Sequence, residues 1–230
     1  NTVVNTSSGI LEGVTEEGVV VYRGIPYAAP VNGENRFCPP QPFEAWDGIR
    51  PAIEDGPIPP QRPSRLARVM GDFDYPYDEN CLTLNIWTPG LDKSDCPVVV
   101  WIHGGAFVSG AGSLPWYNGA KLAGDHNLVV VSVNYRLGAL GFLYHPEVSA
   151  GNLGLRDQVA ALEWVKSHIA AFGGVPENVT LMGQSAGAIS AYALLANTHA
   201  RDLFQRVILQ SGRFSSFETP ESGSAAAVAL

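Results

Sequence analysis

Val179-Thr180-Leu181-Met182-Gly183-Gln184-Ser185-Ala186-Gly187 is the stretch on which the reading of this chain turns. Its first four residues are apolar or β-branched and predict a short strand over 179–182. The apolar run 188–195 that follows Gly187 predicts a helix. The turn between them is so short that Ser185 needs strained backbone angles, and Gly183 and Gly187 remove the side chains that would strike the adjoining strand and helix. A serine placed there projects above the sheet, beside the positive end of a helix dipole. Gly-x-Ser-x-Gly alone would equally suit a tight loop with an exposed serine. Strand before and helix after make Ser185 the candidate nucleophile.

Upstream, a strand predicted over 97–102 runs into His103-Gly104-Gly105-Ala106. Residues without side chains let backbone amides face a substrate carbonyl and hold its oxygen as negative charge develops, so Gly104, Gly105 and the amide of Ala186 form a candidate oxyanion hole. A phosphate loop is the rival reading. It fails because 104–112 has neither the dinucleotide spacing nor a following Lys-Ser/Thr. His103 is read as ordering the loop through hydrogen bonds, since with this kind of turn the catalytic histidine follows the serine and the acid in the chain. His126, His145, His168 and His199 are read as surface or packing residues. Asp157, near the start of a long predicted helix, is read as a structural charge favouring the helix dipole.

Working outward, apolar β-rich runs at 82–87, 97–102, 128–133, 179–182 and 206–210 alternate with helical segments. That alternation predicts an α/β fold, a mostly parallel sheet with helices on both faces. The clearest helix spans 155–171, with Leu155, Val159, Leu162, Val165 and Ile169 on one face, and Gly173-Gly174 ends it. Two short antiparallel stretches, 3–14 and 18–24, precede all this around the Glu16-Glu17-Gly18 turn. Residues 26–63 hold most of the prolines, which excludes helix or central strand there. The tail from 219 reads as a loop leading into a helix.

With 46% hydrophobic and 16% charged residues, the chain is globular. Its net charge of −8, with no basic cluster, disfavours nucleic acid and anionic membranes as partners, and a neutral small molecule fits better. The longest apolar uncharged run falls far short of the roughly 20 residues a bilayer span needs. Cys38, Cys81 and Cys96 match neither a disulfide framework nor a zinc site and read as reduced structural thiols.

Phe172-Gly173-Gly174, followed after four residues by the 179–187 stretch, resembles the serine signature of the type-B carboxylesterases, the family that includes the cholinesterases. Similar to that family as well are Tyr22-Arg23-Gly24-Ile25-Pro26-Tyr27-Ala28, Cys81-Leu82-Thr83-Leu84-Asn85-Ile86-Trp87, Trp101-Ile102-His103-Gly104-Gly105-Ala106-Phe107 and Asn134-Tyr135-Arg136-Leu137-Gly138. The resemblance covers nearly all of the chain. It implies an α/β-hydrolase fold, of which 1–230 form a single incomplete domain, the N-terminal half. It also implies hydrolysis of carboxylic esters through an acyl-enzyme on Ser185, with Gly104, Gly105 and Ala186 as oxyanion donors and no metal or organic cofactor. The family's acid and histidine belong to a C-terminal half absent from this chain, so a second polypeptide is the expected partner besides the ester. Two alternatives share the scaffold: a catalytically silent interaction module, and an amidase or lactonase.

Departures from the family narrow the expectation. Gln184 stands where cholinesterases carry Glu, and no tryptophan lies within 62–80, so a quaternary-ammonium substrate is disfavoured. Disulfide-bearing members pair the counterpart of Cys81 with a cysteine in a segment where this chain has Pro59, which implies a free Cys81. This resembles bacterial members of cytoplasmic location, with secretion left open.

Overall fold

The computed structural model describes residues 1–64, 74–213 and 217–228. The tryptophan-free segment 62–80 therefore lies partly outside the described residues. The first strands are hairpins: β1 (Val3–Thr6) pairs antiparallel with β2 (Gly9–Glu12), and β3 (Val14–Glu16) with β4 (Val19–Pro26). The turn between β3 and β4 places Glu17 and Gly18 at φ 49° and 81°, a conformation glycine adopts without strain. The proline-rich stretch that follows contributes only a 3-10 turn, Gly33–Asn35, and the short β5 (Ile49–Pro51), which lies beside β2 in a small sheet of its own.

Apolar, β-branched runs then build the main sheet: β6 (Thr83–Thr88), β7 (Cys96–Ile102) and β8 (Val129–Val133), with helix α1 (Ala120–His126) crossing between the last two. A one-turn helix α2 (Gly138–Phe142) and a small ribbon, β9 (Tyr144–His145) with β10 (Ser149–Ala150), lead to the long α3 (Leu153–His168). A 3-10 turn, Ile169–Phe172, extends α3 until Gly173 at φ 84° ends it. After it come β11 (Gly174–Gln184), α4 (Ala186–Ala196), β12 (Arg206–Gln210) and α5 (Pro220–Val228).

The seven-stranded sheet has the order β12-β11-β7-β8-β6-β4-β3. It is mixed. β12, β11, β7 and β8 run parallel, whereas β8, β6, β4 and β3 meet as antiparallel pairs. Helices flank both faces. Ala161, Leu162 and Val165 of α3 and Ala191 and Leu194 of α4 join Val98, Val100, Val131 and Leu181 in the main core. Ala120 and Ala123 of α1 pack on the opposite face, with Val21, Trp87 and Val130.

That second face is covered only in part. Register aligns Asn85, Ser132, Trp101, Met182 and Ile208 across it, and burial declines along the row from 4% exposed at Asn85 to 44% at Ile208. Asp157 holds a different role from the one its position suggests. It lies in the second turn of α3, fully buried, where its carboxylate accepts bonds from the guanidinium of Arg136 at 2.7 and 2.8 Å and from the Arg136 amide at 3.0 Å. It is structural as an ion-pair anchor, not as a charge on the helix dipole. Cys81 and Cys96 are buried and Cys38 half-buried, all unbridged. Among the described residues no helix is long and apolar enough to cross a membrane.

Candidate active site

β11 and β7 are parallel neighbours, so the turn after β11 and the loop after β7 open side by side at the same edge of the sheet. Ser185 occupies the first of these turns at φ 54° and ψ −119°, between the last residue of β11 and the first of α4. Such an angle costs a non-glycine residue about 1–3 kcal/mol and clusters at functional sites. Glycine makes the turn possible. A Cβ on Gly183 would lie 2.3 Å from the Gly187 carbonyl oxygen, and one on Gly187 would lie 2.0 Å from that of Ile102. The Ser185 amide donates to Gln210 O at 2.8 Å, tying the turn to β12.

Ser185 is the N-cap of α4, yet its side chain makes no capping bond. A serine at an N-cap ordinarily accepts from an amide of the first turn, a bond worth about 1 kcal/mol. The backbone here aims the hydroxyl elsewhere, and among the described residues it has no hydrogen-bond partner. Ala186 begins the helix, so its amide has no acceptor within α4.

Gly104 lies directly against this turn. A Cβ there would meet Gln184 Oε1 at 2.7 Å and Ser185 Cβ at 3.1 Å. Gly105 follows at φ 120°, then Ala106 and Phe107 in the left-handed region at φ 55° and 63°. The Gly105 carbonyl accepts from the amides of Val108 and Ser109, both at 3.1 Å. Because C=O and N–H point to opposite sides of a trans peptide, that pins the Ala106 N–H facing away from the loop interior. Among the described residues the amides of Gly104, Gly105 and Ala106 meet no backbone acceptor. The structure thus sets Gly104 against Ser185, with Ala186 next to it at the head of α4, and Gly105 and Ala106 following along the loop. Residue type gives no sign of Ala106's left-handed backbone, so its amide was invisible in the sequence.

His103 lies beneath the loop, fully buried. Its Nδ1 is 2.7 Å from the Gly104 carbonyl oxygen, which can only accept, so Nδ1 carries the proton. Burial lowers its pKa to about 4, leaving a neutral ring that orders the loop. Gln61, which the sequence did not flag, grips the far side. Its Nε2 donates to Gly110 O at 2.8 Å and its Oε1 accepts from the Gly110 amide at 2.7 Å.

The other histidines lie elsewhere. His168 stacks on Trp164, and His199 pairs with Glu163 at the surface. His145 accepts from the Glu147 amide, and His126 is exposed at the end of α1. Among the described residues no histidine or carboxylate hydrogen-bonds the Ser185 hydroxyl, and none of the His, Cys, Asp and Glu groups could hold a metal ion.

The profile of the carboxylesterase family matches residues 1–228. The chain is similar to a para-nitrobenzyl esterase from Bacillus subtilis, 45% identical over 231 residues that cover 99% of this chain and 47% of that protein. It is also similar to an acetylcholinesterase from Bungarus fasciatus, 41% identical over 91% of this chain and 36% of the other. A crystal structure of a Geobacillus stearothermophilus carboxylesterase superposes with a TM-score of 0.91 at 47% identity, covering 99% of this chain and 47% of that one. The chain spans about half the length of the relatives first matched. The sheet order, the strained serine turn and this match along almost the whole sequence agree, and the chain belongs to the carboxylesterase family.

Proposed function

We propose that this chain carries the nucleophile of a serine carboxylesterase, hydrolysing carboxylic esters through an acyl-enzyme on Ser185, with the acid and histidine supplied by a C-terminal half like that of its longer relatives. One observation carries the reading. Ser185 forgoes the capping bond open to it and holds a strained angle, with Gly104 packed against it and Ala186 at the head of the helix that follows. A serine in a merely structural turn would relax into the cap.

In the proposed mechanism, the histidine of the C-terminal half takes the Ser185 proton as the oxygen attacks the ester carbonyl carbon. The amides of Gly104, Gly105 and Ala186, joined by that of Ala106, receive the negative charge on the carbonyl oxygen. Each such donor is worth roughly 10²–10³ in rate. The tetrahedral adduct expels the alcohol, which takes the proton from the histidine, and water then releases the acid by the same steps. Gln184 leaves the site without the carboxylate that a cationic substrate would favour.

The need for a C-terminal half draws support from the half-covered sheet face. Ile208 on the edge strand β12, at the open end of the row across that face, is exposed and suited to burial against further protein. Unbridged buried thiols fit a reducing, cytoplasmic setting as part of the same proposal.

The test is Ser185→Ala in the active enzyme. Turnover of a chromogenic short-chain ester should vanish while circular dichroism and thermal midpoint hold, and retained turnover would refute the assignment. An active preparation holding residues 1–230 alone would overturn the role given to the C-terminal half. Matched ester and amide substrates separate an esterase from an amidase.

A further inference from the structure

β11, β7 and β8 are consecutive parallel neighbours, so their C-terminal ends deliver Ser185, His103 and Tyr135 in adjacent positions. Tyr135 is fully buried. Its hydroxyl donates to the His103 carbonyl oxygen at 2.8 Å, and its ring stacks on the His103 imidazole with centroids 4.4 Å apart and planes 22° from parallel.

Those two contacts act on successive peptides. The His103 carbonyl and the Gly104 amide belong to one trans peptide, so holding the oxygen from the Tyr135 side turns the Gly104 N–H to the opposite side. The stacked imidazole governs the next peptide, because its Nδ1–H holds the Gly104 carbonyl and thereby directs the Gly105 N–H. Tyr135 is itself fixed from both sides. Asn134 before it accepts the Gly112 amide on Oδ1 at 2.7 Å, and Arg136 after it is locked onto Asp157. Burial raises the Tyr135 phenol well above its ordinary range, so it stays protonated and remains a donor.

We infer that Tyr135 is a positioning residue for ester hydrolysis, its hydroxyl and ring aiming the Gly104 and Gly105 amides at the site where the carbonyl oxygen gains charge. The inference rests on the serine-esterase reading above. It differs from a packing role for a core tyrosine, which would affect stability alone.

The experiment is Tyr135→Phe in the catalytically complete enzyme, a change that keeps the ring and removes the donor. For an aryl ester, kcat should fall about tenfold to a hundredfold with KM changed less than about twofold, since the lost alignment matters only once charge develops. Affinity for an aryl trifluoromethyl ketone, whose adduct with serine carries an oxyanion, should weaken in step. Placing p-aminophenylalanine at 135, which restores a donor, should recover most of both. Unchanged kcat and ketone affinity in a folded Tyr135→Phe protein would overturn the inference. Should that variant fail to fold, His103→Asn removes the ring on which Tyr135 stacks while keeping the carbonyl its hydroxyl holds, and unchanged ketone affinity there would overturn the ring's part in the inference. Failure of the esterase reading looks different, because the unmodified enzyme would then form no ketone adduct on Ser185.

Discussion

The turn around Ser185 and the loop around Gly105 are both glycine-bearing connections at the ends of neighbouring parallel strands, but they keep their shapes by opposite means. The serine turn is held by exclusion. Its glycines leave no room for a side chain, and backbone crowding does the rest. The loop is held by attachment, its carbonyls tied by hydrogen bonds: Gly104 by the His103 ring beside it, Gly105 by Val108 and Ser109 within the loop, Gly110 by the distant Gln61. A feature held by exclusion can be read in five consecutive residues. One held by attachment depends also on partners, here Gln61 and Tyr135, that only folding brings near.

The comparison can be broken most forcefully in the serine turn. Gly187→Ala places a methyl 2.0 Å from the Ile102 carbonyl oxygen, and the backbone there cannot yield. We expect a loss above about 4 kcal/mol, read as failure to fold or a collapsed urea midpoint. A loss under about 1 kcal/mol would show that the turn relaxes.

Next in size is the anchor behind the loop. Asp157→Ala leaves the buried Arg136 guanidinium without its partner, and stability should fall by about 3–4 kcal/mol by chemical denaturation. The effect should reach the loop through Tyr135, one residue before Arg136.

Acid gives a third handle on the loop alone. Burial holds the folded-state pKa of His103 at about 4, below its ordinary 6.5, so between these values the unfolded chain binds the extra proton. Stability due to this residue is complete above about pH 6.5 and declines as pH falls toward 4, by about 3 kcal/mol in all. Urea midpoints across that range should drop, and His103→Asn should flatten the dependence. An equally steep profile in the variant would assign the acid sensitivity elsewhere.

The smallest effect belongs to Gln61→Ala, which removes both bonds to Gly110 at a part-buried site. About 1–2 kcal/mol should be lost, with faster amide exchange at Gly110 and little change at Ser185.

The same contrast explains how much was legible in advance. The strands at 82–87, 97–102, 128–133 and 206–210 emerge within about a residue of their predicted ends, because alternation and β-branching are local signals. The strand read as 179–182 begins at Gly174 instead. Pro176 hides the extension, and pairing with β7 shifts register between Gly174 and Val179. The antiparallel stretches at 3–14 and 18–24 were legible, but the attachment of β4 to the main sheet was not, because β6 inserts between β8 and β4, a neighbour choice no local pattern encodes. At the site, Gly104 lies against Ser185, and Ala186 follows that serine at the head of α4, an adjacency of loop and turn that the two motifs alone did not carry. Ala106, Gln61 and the Asp157–Arg136 pair did not show, since each depends on tertiary contact.

The central claim, that Ser185 is the attacking group, is tested most directly by covalent capture. The active enzyme would be treated with a fluorophosphonate, digested, and mapped by mass spectrometry. The account predicts one adduct, on Ser185, formed in step with loss of esterase activity and absent from Ser185→Ala. An adduct on another residue that tracks inactivation, or full labelling of the Ser185→Ala protein, would contradict it.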